Sequence, residues 1–171
     1  MSGAAIEIIP SGLEALNGRI DRLLRGLKDP KPLLWDLAQA GEEQTKRRLA
    51  DEKHGPDGER WPEWSPGYAA TRHGGQDKLE STGDLIESIN AFADAQTAGW
   101  GTNMAYGAIQ HFGFDGSQSV RSHTRKGYPV AAHTRQMHIP ARPYLGVSDE
   151  NLTELLDIAE RWLDRMLWGP A

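Results

Sequence analysis

The chain contains no cysteine among its 171 residues. That absence excludes a disulfide framework and any thiolate metal site, zinc fingers included, and it fits a reducing compartment. No stretch approaches the roughly eighteen consecutive apolar residues that a membrane-spanning helix needs. The N-terminus also lacks a basic region followed by a long apolar core. A soluble protein made in the cytoplasm, with no membrane partner, is therefore expected. Net positive charge is missing too. The formal charge of -5 argues against a protein built mainly to coat nucleic acid, while leaving room for a local basic patch.

Catalytic motifs are equally scarce. There is no Walker A loop, no His-Glu-x-x-His, no Gly-x-Ser-x-Gly and no calcium-loop spacing. Gly99-Trp100-Gly101 begins like a dinucleotide fingerprint, but Met104 stands where the third glycine should be. The 6 histidines are scattered. His123, His133 and His138 share a basic region, where cationic neighbours oppose a further cation, so solvated or hydrogen-bonded rings are favoured over a metal site. Asp84 and Glu87 on one short helix are ordinary helix-dipole and surface chemistry. No catalytic residue, cofactor or metal is expected, and the chain does not read as an enzyme.

What is present is a single domain, 1–171, with 38% hydrophobic residues and a modest core. Its organising stretch runs from His138 through Ile139, Pro140, Ala141, Arg142, Pro143, Tyr144 and Leu145 to Gly146. The two prolines donate no backbone hydrogen bond and push Ile139 and Arg142 toward extended geometry, so this segment is a strap. Ser148 then caps a helix whose first turn carries Asp149 and Glu150, matching the positive end of the helix dipole. That helix sets Leu152, Leu155, Leu156, Ala159, Trp162, Leu163 and Met166 on one face and must cover the sheet or a neighbouring subunit.

Upstream, residues 1–11 read as a loose arm, with Ile6, Ile8 and Ile9 as a short strand. From Gly12, Leu13, Leu16, Ile20, Leu23, Leu24 and Leu27 recur at helical spacing. Asp29-Pro30-Lys31-Pro32 breaks this helix, and Pro32 opens a second one carrying Leu33, Leu34, Leu37, Ala38, Gly41, Thr45 and Leu49. The two form a helical hairpin or a bent pair. From Lys53 to Gly75 no regular element fits, and Trp61 and Trp64 are expected to pin this loop to the core. Thr82 or Ser81 is expected to cap a short helix to Ile89. Residues 89–95 and 97–101 pair as a hairpin, and Asn103 caps a helix from Met104 to Phe112 that stops at Gly113.

Residues 113–137 carry Arg121, Arg125, Lys126 and Arg135 against a single acid, Asp115. So long a connection with so few core residues is unusual. It reads as an arm, with hairpin strands near Val120 to Thr124 and Val130 to His133, ordered by something outside the domain if at all. A solvated loop, contact with an acidic protein neighbour and contact with DNA all remain open. The fold class is α+β: N-terminal helices, a small antiparallel or mixed β-sheet, the extended arm, and a C-terminal amphipathic helix covering the sheet.

Several blocks of the sequence resemble one known family. They are Trp61-Pro62-Glu63-Trp64-Ser65, Ser81 through Ile89, Gly101-Thr102-Asn103-Met104-Ala105-Tyr106 leading to Ile109-Gln110-His111-Phe112-Gly113, and Ile139 through Gly146. In this order, ending in the proline-arginine-proline strap, they resemble the phage virion morphogenesis family. That family includes the tail completion protein of P2-like phages and its counterpart in Mu-like phages. The likeness runs from about Leu13 to Leu167 and departs from the family in the arm and the tryptophan-rich loop. The positions that match the family pattern are Gly83, Gly101, Tyr106, His111, Gly113, Pro140, Ala141, Arg142, Pro143 and Leu145.

The resemblance implies a structural protein of a tailed bacteriophage, acting at the head-to-tail junction or the head-proximal end of the tail. It also implies a homo-oligomeric ring, sixfold to match the tail tube, partnered by other neck, tail-terminator or tail-tube proteins. The expected location is the host cytoplasm during assembly and the virion afterwards. Most matching positions are expected to serve fold geometry. Arg142 is expected to make either a clamp within the chain or a contact between subunits. Arg121, Arg125, Lys126, Arg135 and Arg142 are the candidates for contact with a neighbouring subunit or with DNA in the channel. A nucleic-acid-binding assembly factor using the basic 121–142 segment is the alternative function.

Overall fold

The computed structural model describes residues 13–74, 76–125 and 127–169. The expected N-terminal strand at Ile6, Ile8 and Ile9, and Lys126 of the basic segment, lie outside these residues. The architecture is α+β. Helices α1 (Leu13–Lys28) and α2 (Lys31–Arg47) open it, and α2 runs into one turn of π-helix at Arg48–Glu52. Pro32 sits in the first turn of α2, where its missing N–H has no helical partner to lose. Lys53 closes the π-turn with a left-handed backbone, its N–H donating to the Arg48 carbonyl at 3.0 Å.

Helix α2 is the spine. The hairpin of β1 (Ile89–Ala93) and β2 (Ala98–Thr102) lies across it on one side, and the C-terminal helix α6 (Asp149–Trp168) packs against it on another. Ala38, Gly41, Gln44 and Thr45 are the buried residues of α2. The absence of a side chain at Gly41 admits the indole of Trp100, whose Nε1 donates to Thr45 Oγ1 at 2.9 Å. Because α2 already occupies the hairpin, α6 covers helices α1 and α2, not the sheet. This also decides the arrangement of the first two helices: they form a bent pair in which each packs chiefly on other elements, α1 on α6.

Leu49, Trp61, Leu85, Ile89 and Tyr144 form the buried core at the C-terminal end of α2. Leu79, Ile86, Trp100, Met104 and Leu145 pack around them. The loop between α2 and this core contains a short helix, α3 (Pro66–Ala69), where no regular element was expected. Helix α4 (Asp84–Glu87) starts from Gly83, in a left-handed conformation, and not from a Ser81 or Thr82 cap. Thr82 Oγ1 instead donates to the Asp84 carboxylate at 2.6 Å. Helix α5 (Gly107–Phe112) begins later than Asn103 would have it; the preceding turn is held by Met104 N–H donating to Thr102 Oγ1 at 3.0 Å.

The arm is a long antiparallel hairpin in two ladders. Strand β3 (Phe114–Val120) pairs with β6 (His133–Ile139), and beyond a break, β4 (His123–Arg125) pairs with β5 (Tyr128–Val130). The expected strands from Val120 to Thr124 and from Val130 to His133 straddle that break. All the named strand pairs are antiparallel, in separate two-stranded sheets. The root ladder escaped sequence reading because both its faces are largely exposed, so it lacks the alternation that marks a half-buried strand.

Candidate functional site

The strap leaves β6 at Ile139 and crosses the core, held at nearly every residue. Arg142 donates from Nε and Nη2 to the Pro62 carbonyl, at 3.0 and 2.8 Å, and from Nη2 to the Glu63 carbonyl at 3.1 Å. Its backbone N–H donates to the Gln110 carbonyl at 2.9 Å, and its side chain is only 6% exposed. A planar guanidinium suits such a set of carbonyls, and remains charged although burial works against the charge. One residue further, the Trp61 indole N–H donates to the Pro143 carbonyl at 2.8 Å.

A second guanidinium takes over at Tyr144. Arg48 Nη1 donates to the carbonyls of Tyr144 and Gly146, at 2.9 and 3.1 Å, and Nη2 bonds the Asn151 side chain in the first turn of α6. Gln44 adds a bond from Nε2 to the Asn151 carbonyl at 3.2 Å. From the opposite side, His111 Nδ1 accepts from the backbone N–H of Tyr144 at 3.3 Å and of Leu145 at 3.4 Å. That role requires the neutral ring with its proton on Nε2, and burial lowers the His111 pKa in the same sense.

Where α5 meets the arm, Gly113 has φ +77 and ψ 175, a region open essentially to glycine alone. A Cβ there would stand 2.8 Å from Ala141 N and from Ile139 O of the strap. Next to this junction lies a cleft of about 660 Å³ whose walls include Trp64, Tyr68, Gly83, Tyr106, Arg135 and Arg142. Trp64 meets Tyr68 edge-on with ring centroids 5.8 Å apart, and the Arg72 guanidinium lies over the Tyr68 ring, 4.2 Å from its centroid. Of the two loop tryptophans, Trp61 is the buried one; Trp64 is half-buried at the cleft.

Beyond its root, which borders the cleft at Arg135, the arm stands apart from this network. Arg121 and Arg125 are exposed near its tip, and Arg135 is bonded across the ladder to Gln118 Oε1 at 2.9 and 2.6 Å. His138 Nδ1 lies 3.2 Å from the Asp115 carboxylate on the facing strand. Among the described residues, no three His, Asp or Glu side chains gather as a metal would require.

A family model described as the phage virion morphogenesis family matches residues 12–164. The chain belongs to that family. A comparison with curated proteins and one with solved structures gave no match. Of the positions that resemble the family pattern, the fold brings His111, Gly113, Pro140, Ala141, Arg142, Pro143 and Leu145 together at the strap. Gly83 and Tyr106 border the same cleft as Pro140 and Arg142, whereas Gly101 lies apart in β2. Sequence reading missed Arg48, Gln44 and Asn151, the polar groups that tie strap to helices. The only signal for Arg48 was its place in register with Gly41 and Thr45 on the inward face of α2.

Proposed function

We propose that this member of the phage virion morphogenesis family is a structural, non-catalytic virion protein. It completes the tail or joins it to the head, and it does so as a homo-oligomeric ring, sixfold to match the tail tube. Its partners are further copies of itself and the neck, tail-terminator or tail-tube proteins above and below. Family membership supports the virion role. The observation that carries the rest is the contrast between a strap clamped by two buried arginines and an arm exposed along both faces. The buried guanidinium groups of Arg48 and Arg142 bond main-chain carbonyls and an amide, which serves rigidity. An isolated two-stranded hairpin is marginal in water, so an arm of this length calls for a neighbour.

The test is electron microscopy of lysates from the encoding phage or prophage with this gene inactivated, beside a complemented culture. Filled heads next to separate tails, cured by complementation, are expected. Normal joined, infectious particles would remove the joining role.

A second reading is favoured by the exposure of Arg121 and Arg125: a contact between the arm and DNA. Such binding falls steeply with salt, since each neutralised phosphate releases counterions. A flat salt response disposes of it.

A further inference from the structure

Helices α1 and α6 run antiparallel. Arg19 lies over the Trp168 ring at 4.1 Å, Arg22 Nε donates to the Met166 carbonyl at 3.2 Å, and Gly26 faces Trp162 and Met166. On α1 those contact residues define one face, yet the large apolar side chains Leu13, Leu16, Ile20, Leu24 and Leu27 lie about a third of a turn away and are exposed. On α6, Leu152, Leu156 and Leu163 are likewise exposed, about a quarter-turn from Trp162 and Met166 and in the same rotational sense. For antiparallel helices, rotations in the same sense carry both stripes to the same side of the pair. The result is one apolar face shared by two helices. Asp157, Glu160 and Asp164 of α6 are exposed and make no ion pair among the described residues, and Glu160 borders the leucines directly.

The tip of the arm has the opposite character. Cross-strand partners share a face of a ladder, and Arg125 pairs with Tyr128 while His123 pairs with Val130. These residues therefore form one surface with an aromatic anchor, Tyr128, 76% exposed, beside a cation without an ion pair among the described residues. Arm and helix face do not pack on each other to any substantial extent within the chain.

We propose that the arm tip of one copy docks on the α1–α6 face of the next, Tyr128 and Val130 against the leucine stripe and Arg125 against Glu160 and Asp164. This deepens the proposed function and rests on its ring. The two halves of the contact are different surfaces of one subunit, so the interface is heterologous and propagates head to tail until it closes. Charge complementarity selects the partner: the acidic helix repels a second acidic helix and accepts the basic tip.

The experiment uses the full chain and sedimentation velocity. Glu160→Arg with Asp164→Arg is expected to weaken association about tenfold or more, and Arg125→Glu to weaken it as well. Combining the reversals on both sides is expected to restore association. These side chains are exposed, and thermal unfolding of each variant serves as the folding control. A second measurement exploits the absence of cysteine. His123→Cys, on the docking face of the tip, and Asp157→Cys, mixed as two single variants and oxidised with copper phenanthroline, should give a disulfide-linked heterotypic dimer. If the wild-type chain associates but the reversals have no effect and only like-with-like cross-links form, this interface is overturned and the ring survives. A wild-type chain that stays monomeric at about 100 µM, well above weak-interface affinities, overturns both. Loss of salt-dependent DNA binding in Arg125→Glu with association intact overturns the docking in favour of a nucleic-acid arm.

Discussion

Arg48 and Tyr144 lie 96 residues apart in the chain, and the guanidinium of one donates to the main-chain carbonyl of the other at 2.9 Å. Arg48 is 1% exposed, and its charge has one acid in range: Glu52, at 3.9 Å from Nε, close enough for Coulomb attraction but too far to hydrogen-bond. Its energetic weight therefore rests on the bonds to Tyr144, Gly146 and Asn151. Replacing it by methionine leaves those acceptors without a donor while keeping much of the volume, and is expected to cost about 2–4 kcal/mol. Arg48→Lys is expected to cost nearly as much, because a single ammonium cannot span three acceptors. Urea denaturation of both variants measures this; an unchanged midpoint for either would show that the strap does not depend on the clamp.

Gly41→Ala sets two effects against each other. In a helix interior, alanine is favoured over glycine by about 1 kcal/mol. Here the new methyl group would overlap the Trp100 ring, which is held by its bond to Thr45. Overpacking costs about 1–3 kcal/mol, so the clash should win. A lower Tm is expected, and a raised one would mean that the β1–β2 hairpin yields without loss.

The same two residues show what could be read in the sequence. Helical spacing located α1, α2 and α6, and Ser148 with Asp149 and Glu150 marked the start of α6; its Oγ accepts from Asn151 N at 3.2 Å. The β1–β2 hairpin was equally legible, because its ends are punctuated by turn residues. Periodicity does not say which side chain fills the missing one at Gly41, nor that a guanidinium can be buried if carbonyls from a distant strap converge on it. Those facts depend on tertiary pairing. That α6 lies on helices and not on the sheet was illegible for a related reason: an apolar stripe reveals that a helix needs a partner without saying which partner already has one. The arm's root strands carry no apolar alternation because no core lies behind them, so only the pairing of Phe114 with Ile139 and its successors reveals them.

Protonation of His111 should loosen the strap. Its Nδ1 accepts two backbone N–H bonds, and burial depresses its pKa in the folded chain. The unfolded chain, with an ordinary histidine value of about 6.5, then binds more protons than the folded chain as the pH falls. Stability from this residue is complete above that value and is lost as the pH drops below it toward and through the depressed folded value. In urea titrations between about pH 7.5 and 5, the wild type should lose stability that His111→Phe does not lose. Parallel pH profiles would show that the ring does not titrate in this window.

Two glycines of the arm separate backbone strain from collision. Gly127 has φ +84 and open space where a Cβ would point, so Gly127→Ala bears only the cost of the left-handed conformation, about 1 kcal/mol. Gly113 has the glycine-only backbone and, in addition, the strap's Ala141 N and Ile139 O within 2.8 Å of a Cβ. Neither atom is the end of a flexible side chain, so relief requires moving either the arm's root or the strap clamped by Arg142. Gly113→Ala should therefore cost at least about 2–3 kcal/mol and lower Tm well beyond Gly127→Ala. Equal losses at the two sites would mean that the arm pivots freely at its root. In that case the strap could not fix the direction in which the arm reaches a neighbouring subunit.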